Sequence, residues 1–282
     1  MELSVRSRSG GDRETLLADG LVALGGRAVQ EVQGWFVTHL DDPGDPVAIR
    51  ERAQTFLSEA SGLEDLELEL RWREHEDWAE TWKRGLEPRR IGERLLVTPS
   101  WFTVDAAPED VVVVLDPGMA FGTAEHGTTR GCLRLLEAAL SPGDRILDVG
   151  AGSGILSIAA AGLGAHDVLA LEGDPLAVEA IAENVELNGV GERVRWRTLW
   201  ADAAQLASLA PRDGVIANIE PGVLRPLLPG MASALTEGGW LILSGILDAE
   251  WAGMKSDAER AGFHFVSVSR DGEWCSGLFA SR

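Results

Sequence analysis

The first 73 residues alternate between short strand-like and helix-like patterns. Apolar and polar residues alternate, or apolar residues run together, in segments that predict four strands. These are 3–7, two strands within 28–40 that meet at Gly34, and 63–73. Two segments place apolar side chains three and four residues apart, as amphipathic helices do: 12–25 and 47–60. The order β-α-β-β-α-β predicts a small ferredoxin-like α/β domain over residues 1–73.

From residue 111 onward, longer apolar runs alternate with helical patterns. Seven runs are predicted to be strands: 111–115, 145–150, 167–173, 193–199, 214–219, 239–246 and 264–270. Strands that are apolar on both faces and separated by helices are typical of a doubly wound, mainly parallel α/β sheet. We therefore predict one such domain over residues 111–282, joined to the first domain by a linker over residues 74–110.

Composition argues against several classes of protein. The 282 residues include 25 lysines and arginines against 45 aspartates and glutamates, which gives a net charge of −20. So acidic a surface repels nucleic-acid backbones, and no apolar run is long enough to span a bilayer, so we expect neither DNA binding nor membrane insertion. Two distant cysteines and an N-terminus without a signal-peptide core predict a cytoplasmic protein with no disulfide framework and no metal site.

The strongest local signal is the sequence LDVGAGSGIL at 147–156. A predicted strand ends at Gly150, Gly152 and Gly154 and a helix follows, so that the backbone can approach a ligand closely. This G-x-G-x-G spacing differs from the G-x-G-x-x-G of dinucleotide-binding proteins. Asp148 would repel a pyrophosphate but suits a ligand with an amino group and a sulfonium, which favours S-adenosylmethionine (SAM) over a nicotinamide dinucleotide.

Two further polar residues end predicted strands of the same sheet. Glu172 lies about 20 residues past the glycine turn, where a carboxylate accepts hydrogen bonds from both hydroxyls of a ribose. Asp174 is instead predicted to cap the following helix. Asn218 has three open interpretations: it holds the cofactor, it orients an amine nucleophile towards the methyl group, or it forms a turn before Pro221.

Several motifs together resemble one family. LDPGMAFGTAEHGTT at 115–129 resembles the LDPGxAFGTGTHPTT signature of the PrmA family, which comprises bacterial SAM-dependent methyltransferases of ribosomal protein L11. The similarity covers about residues 75–282 and includes these segments: 77–101, 147–165, 184–190, 243–247 and 272–274. It implies a class I SAM-dependent methyltransferase domain with a Rossmann-like fold, and an N-terminal domain that recognises the substrate protein.

The resemblance also assigns roles to single residues. It places four residues at SAM-contacting positions: Thr129, Gly150, Glu172 and Asn218. It places four more in the signature loop beside the cofactor: Phe121, Gly122, Thr123 and His126. The predicted SAM site combines Phe121, Gly122 and the four SAM-contacting residues with Asp148, Gly152 and Gly154 of the glycine turn. Asn218 and His126 are the candidate catalytic residues for methyl transfer to lysine side-chain or N-terminal amines.

The chain departs from the family pattern at two places. In the signature loop, Ala124 replaces a glycine and Gly127 stands where proline is common; at 219–222, Glu220 adds a charge beside the expected substrate site. Three functions stay open: methylation of L11, free or ribosome-bound, by a monomer; methylation of another protein lysine or a small molecule by the same fold; and binding without catalysis. SAM binding and methyl transfer to L11 distinguish them.

Overall fold

The computed structural model describes residues 2–7, 15–26, 29–32, 34–40, 46–71, 87–116 and 122–282. The chain divides into two compact units, residues 1–85 and 86–282. A search of the described ranges finds no helix long and apolar enough to cross a membrane.

The described residues of the first unit form an antiparallel sheet and two helices. Its elements are β1 (Glu2–Ser7), α1 (Thr15–Ala23), β2 (Val29–Val32), β3 (Trp35–His39), α2 (Pro46–Ser61) and β4 (Leu66–Arg71). The sheet order is β2-β3-β1-β4, and all neighbouring strands are antiparallel. Leu3 and Val5, alternate residues of β1, are fully buried in one core with Leu21 of α1 and Leu57 of α2. The described elements follow the β-α-β-β-α-β order that the sequence predicts.

The second unit contains two sheets. Its described strands are β5 (Arg89–Arg90), β6 (Leu95–Thr98), β7 (Val111–Val114), β8 (Arg145–Val149), β9 (Asp167–Glu172), β10 (Val194–Thr198), β11 (Arg212–Asn218), β12 (Leu235–Leu247), β13 (His264–Asp271) and β14 (Trp274–Ala280). Its described helices are α3 (Gly127–Ala139), α4 (Ile155–Leu163), α5 (Pro175–Leu187), α6 (Ala203–Ala207), α7 (Pro221–Ala234) and α8 (Asp248–Arg260).

The larger sheet has the order β10-β9-β8-β11-β12-β14-β13. Its first five strands are parallel, whereas β14 is antiparallel to both of its neighbours. Successive residues of β8 enter different cores: Ile146 packs with residues of α3, α4 and α5, and Leu147 packs with residues of α6, α7 and α8. Helices therefore cover both faces, as the sequence predicts. The strand order reverses between β8 and β11, and doubly wound folds bind ligands at such a point.

The sequence predicts the run at 111–115 as a strand of this sheet, and that prediction is wrong. β7 pairs in parallel with β6, and β6 pairs antiparallel with β5, in a separate three-stranded sheet. The Asn188 side chain accepts from the Val114 N–H at 2.8 Å and donates to its carbonyl at 2.6 Å, so it bonds to the backbone of β7 as a strand would. Val111 and Val113 are buried in the core that contains Ile146. Their burial explains why an apolar run occurs outside the larger sheet.

Part of the region predicted as a linker packs in the second unit. Ile91, Leu95 and Val97 are buried in the same core as β7. The Glu137 carboxylate of α3 accepts hydrogen bonds from the backbone N–H groups of residues 93 and 94, at 2.9 and 2.6 Å. Residues 89–98 are therefore a folded part of the second unit, and residues 72–86 lie outside the described ranges.

Candidate functional site

A cavity of about 480 Å³ lies at the carboxyl ends of β8, β9, β10 and β11. The start of α3 and residues of β12 and β14 complete its walls. Its aliphatic lining comes from Val149, Leu171, Leu199, Ile219, Val223 and Leu227. Glu172 and Glu220 are the carboxylates of the described lining, which includes neither lysine nor arginine. A mainly apolar cavity with a few polar groups is typical of a small-molecule site.

The glycine turn joins β8 to α4 through left-handed backbone conformations. Gly150, Gly152 and Gly154 have φ of +74°, +55° and +81°. A Cβ on Gly150 would lie 2.5 Å from the Ile219 Cγ2 atom, so this glycine lets two strand ends approach each other. Gly150 and Gly152 line the cavity, whereas Gly154 is the N-cap of α4 and lies against Ile181.

Glu172 connects the glycine turn to the end of β9. Its carboxylate accepts hydrogen bonds from the backbone N–H groups of Gly152, Gly173 and Asp174, at 2.8, 2.7 and 2.9 Å. It also lines the cavity. Asp174 is the N-cap of α5 and accepts from the Leu176 N–H at 2.9 Å, which confirms its predicted capping role.

Asp148 is fully buried beneath the glycine turn. One carboxylate oxygen accepts from the Ser157 hydroxyl at 2.7 Å, and the other has no hydrogen-bond partner within the described ranges. The pKa of this carboxyl is raised to about 6, chiefly by burial and in the same direction by the nearby charge of Glu172. Asp148 is not part of the cavity lining, so the structure places this predicted residue behind the cavity wall.

Asn218 and Glu220 lie on the turn between β11 and α7, and both line the cavity. The Asn218 side-chain carbonyl oxygen is buried and has no hydrogen-bond partner in the described part of the chain. Glu220 is the N-cap of α7, but its side chain makes no capping hydrogen bond. An amide oxygen and a carboxylate are both acceptors, so this turn suits a ligand that donates hydrogen bonds.

His126 is the N-cap of α3 and lines the cavity. Its Nδ1 atom accepts from the Thr128 N–H at 3.4 Å and lies 2.7 Å from the Thr128 hydroxyl. Its ring centre is 4.9 Å from that of Trp274, another lining residue. Thr129, the residue after Thr128 in α3, is fully buried outside the lining, and no described residue forms a hydrogen bond with its hydroxyl.

The described part of the signature loop is tied to the glycine turn. Gly122 has φ of +108°, and its carbonyl accepts from the Ser153 hydroxyl at 2.6 Å. The Thr123 carbonyl accepts from the His126 N–H at 3.3 Å. Phe121, predicted to contact the cofactor, lies outside the described residues.

Sequence reasoning missed several lining residues. Trp200 is 80% exposed, and Gly173 approaches its ring so closely that a Cβ there would lie 2.2 Å away. It follows β10 by two residues, so the rule that ligands bind at carboxyl strand ends would have found it. Trp274 belongs to the GEW segment that entered the family resemblance, without a role. Gly245, on β12, carries no chemical signal in the sequence.

The donor set of this site fits SAM. Its methionine part carries an ammonium and a sulfonium, both cations. The described lining has carboxylates and neither lysine nor arginine. Two predicted residues, Asp148 and Asn218, hold buried oxygens that have no partner among the described residues. A doubly wound sheet with this glycine turn, an acid ending the second strand and a cavity at the strand ends defines a class I SAM-dependent methyltransferase.

Comparison with known proteins narrows this class to one family. The family described as "Ribosomal protein L11 methyltransferase (PrmA)" matches residues 33–281. The chain is 43% identical over 221 residues to the ribosomal protein L11 methyltransferase of Symbiobacterium thermophilum, covering 77% of this chain and 70% of that protein. It is 36% identical over 258 residues to that of Streptococcus thermophilus, with coverages of 89% and 80%. The chain belongs to this family.

A solved structure agrees with this assignment. The crystal structure of the ribosomal protein L11 methylase from Lactobacillus delbrueckii subsp. bulgaricus has a TM-score of 0.62 and 30% sequence identity to the chain. The match covers 70% of this chain and 99% of that one. The protein is thus an enzyme, a SAM-dependent methyltransferase with the predicted fold class.

Proposed function

We propose that this methyltransferase acts on lysine side-chain or N-terminal amines of ribosomal protein L11, free or ribosome-bound. The observation that carries the proposal is the buried carbonyl oxygen of Asn218, which has no hydrogen-bond partner among the described residues. This oxygen lies in the wall of a cavity whose described lining includes neither lysine nor arginine. An amine is a hydrogen-bond donor and, when protonated, a cation, so both features favour it. The names of the relatives supply the particular protein substrate.

Asn218 is also predicted to contact SAM, and it lines the cavity, but the proposal assigns its oxygen to the amine. The other residues predicted for SAM divide into two groups. Gly150, Gly152 and Glu172 line the cavity and would contact the cofactor directly, with Glu172 accepting from the ribose hydroxyls. A second group would act from behind the wall or from the signature loop: Phe121, Gly122, Thr129, Asp148 and Gly154. When bound, SAM supplies an electrophilic methyl group on a sulfonium, so no metal or covalent nucleophile is required.

The enzyme must deliver the amine neutral and aligned with the methyl group. A free lysine amine has a pKa of about 10.4 and is mostly charged at neutral pH. An apolar cavity that also holds a sulfonium would lower that pKa. The Asn218 oxygen would accept a hydrogen bond from the amine and orient its lone pair.

The proton leaves by way of solvent or an acceptor near Asn218. Glu220 is exposed, and its carboxylate takes no part in capping α7, so it suits the first contact with a substrate ammonium. The Nδ1 atom of His126 is used in capping α3. We therefore assign His126 to shaping the cavity wall, beside Trp274, ahead of proton transfer.

Recognition of L11 is assigned to the N-terminal domain. In this proposal the N-terminal domain, predicted over residues 1–73, binds the substrate protein, and the second unit, residues 86–282, carries out the transfer. The protein would act as a cytoplasmic monomer that contacts neither DNA nor membrane. The net charge of −20 would steer a basic ribosomal protein towards the enzyme.

The proposal is tested by incubating the purified protein with SAM and recombinant L11 and measuring intact mass. A gain in units of one methyl group supports it, and L11 with chemically acetylated amines, the matched control, should gain nothing. No gain on L11, with SAM binding shown in parallel, would contradict L11 as the substrate and favour another amine acceptor. An equal gain on the acetylated protein would contradict an amine target.

A further inference from the structure

Arg130, in the first turn of α3, joins three parts of the second unit. Its Nε and Nη2 atoms donate to both carboxylate oxygens of Asp271, at 2.8 and 2.6 Å. Its Nη1 atom donates to the carbonyls of Ala124 and Glu125, at 3.2 and 2.5 Å. One guanidinium therefore ties the signature loop to the end of β13. The planar fork of arginine makes this geometry possible, and a lysine ammonium cannot reproduce it.

The two segments that Arg130 joins carry two neighbouring wall residues of the cavity. His126 follows directly after the bound carbonyls, and Trp274 lies three residues after Asp271. The two rings are in contact, with centres 4.9 Å apart. A Cβ on Gly127 would lie 2.9 Å from the Asp271 carbonyl oxygen, so the two segments are also closely packed.

The contact is stable against changes of pH near neutrality. Arg130 and Asp271 are 17% and 20% exposed. Hydrogen bonding to Arg130 is the largest cause that lowers the Asp271 pKa to about 2, and Arg134 also contributes. The Arg130 pKa is raised, chiefly by the same carboxylate. Both side chains of the pair therefore remain charged at pH values near neutrality.

We propose that Arg130 and Asp271 are positioning residues for methyl transfer, which hold His126 and Trp274 in the arrangement that the cavity wall requires. This inference rests on the proposed function, because the proposal requires His126 and Trp274 to form the wall on the amine-binding side of the cavity. Neither residue lines the cavity, so their loss should act on the alignment of the reacting groups and hardly on SAM binding. A misplacement of about 1 Å costs a methyl transfer up to about 100-fold in rate.

The chain offers two matched controls. Arg134 donates to the same Asp271 carboxylate at 3.0 Å but has no hydrogen bond to residues 122–126, the described part of the signature loop before α3. Arg145 makes an equivalent two-bond pair with Asp213, at 2.8 and 2.9 Å, at the start of β8, the end of the strand away from the cavity. Arg134→Gln tests the weaker contact to the same carboxylate, and Arg145→Lys tests the general cost of losing an arginine fork.

The experiment compares Arg130→Lys with both controls by hydrogen exchange and by kinetics. We expect Arg130→Lys to speed amide exchange over residues 123–127 without cofactor, and to lower kcat at least about 10-fold. The Kd for SAM should change far less, and both controls should resemble wild type. Equal exchange and equal kcat in Arg130→Lys and Arg145→Lys would overturn the proposal.

The two proposals fail separately. Exchange needs neither SAM nor a methyl acceptor, so a wild type that does not methylate L11 would contradict the proposed function alone. Unchanged exchange in Arg130→Lys, together with normal transfer to L11, would overturn the positioning role and leave the proposed function standing.

Discussion

Three buried side-chain oxygens near the cavity have no hydrogen-bond partner among the described residues: Thr129 Oγ1, Asp148 Oδ1 and Asn218 Oδ1. An unmade hydrogen bond at a buried group costs about 1–3 kcal/mol, so such groups are rare away from functional sites. The sequence points to all three, because each belongs to a motif with a chemical meaning. It cannot tell which of them lines the cavity, since that depends on side-chain burial.

At Glu172, replacement by alanine should weaken SAM binding by at least about 10-fold, the loss of about one charge-assisted hydrogen bond. The variant removes the carboxylate that is predicted to bind the ribose and that accepts from three backbone N–H groups, but it leaves the hydrophobic cores intact. Calorimetric titration with SAM measures the effect. The matched control is Asp174→Ala, which removes a helix cap outside the cavity and should leave the affinity unchanged. Equal affinities in Glu172→Ala and wild type would refute the ribose assignment.

Among the elements, the strand–turn–helix unit from β8 to α4 is the feature that the sequence predicts best. Glycine spacing and the apolar run before it locate the unit within a residue or two of the observed bounds. The strand β7 is misplaced because an apolar run does not tell which partner strand it joins, and here the partner is β6. The sequence indicates β14 only at 272–274, because its residues 274–280 lack a clear alternation.

Gly150→Ala should destabilise the protein and weaken SAM binding together. The left-handed backbone there costs a residue with a Cβ about 1–2 kcal/mol, and the contact with Ile219 adds overpacking. Gly189→Ala is the control, because φ is +63° there but no heavy atom lies within 4 Å of the added Cβ. Thermal melting and SAM titration of both variants measure the difference. Equal losses in the two would show that the contact with Ile219 is unimportant.

For the whole molecule, the two-unit division follows from a change of pattern that the sequence shows at about residue 111. The structure places the boundary earlier, after residue 85. The difference arises because residues 89–98 contribute buried side chains to the core of the second unit. Short strands with mixed polarity, such as β5, resemble a connecting segment until their partners are known.

Acid should destabilise the second unit through carboxylates that are paired with arginines. Hydrogen bonds from arginine lower the pKa values of Asp110, Asp213 and Asp271 to about 2. Because these values are below the unfolded value of about 3.9, the stabilisation is present above that pH and is lost as pH falls towards 2.

Asp213→Asn tests this account, since the variant lacks one of the paired carboxylates. We expect its melting temperature to fall less than that of wild type between pH 6 and pH 3, by about 2–4 °C. Circular dichroism melts at both pH values measure the two decreases. A decrease in the variant as large as in wild type would show that the Asp213–Arg145 pair does not contribute.

The role of Asn218 is tested by measuring the effect of Asn218→Ala on methyl transfer to L11 and on SAM binding, with one preparation of the variant for both. If the Asn218 oxygen orients the amine, we expect kcat to fall at least about 100-fold, because alignment is lost. The Kd for SAM should change only slightly. A variant that transfers methyl groups at the wild-type rate would contradict the assignment of this cavity wall to the amine. A large loss of SAM affinity with little change in kcat would make Asn218 a cofactor ligand instead.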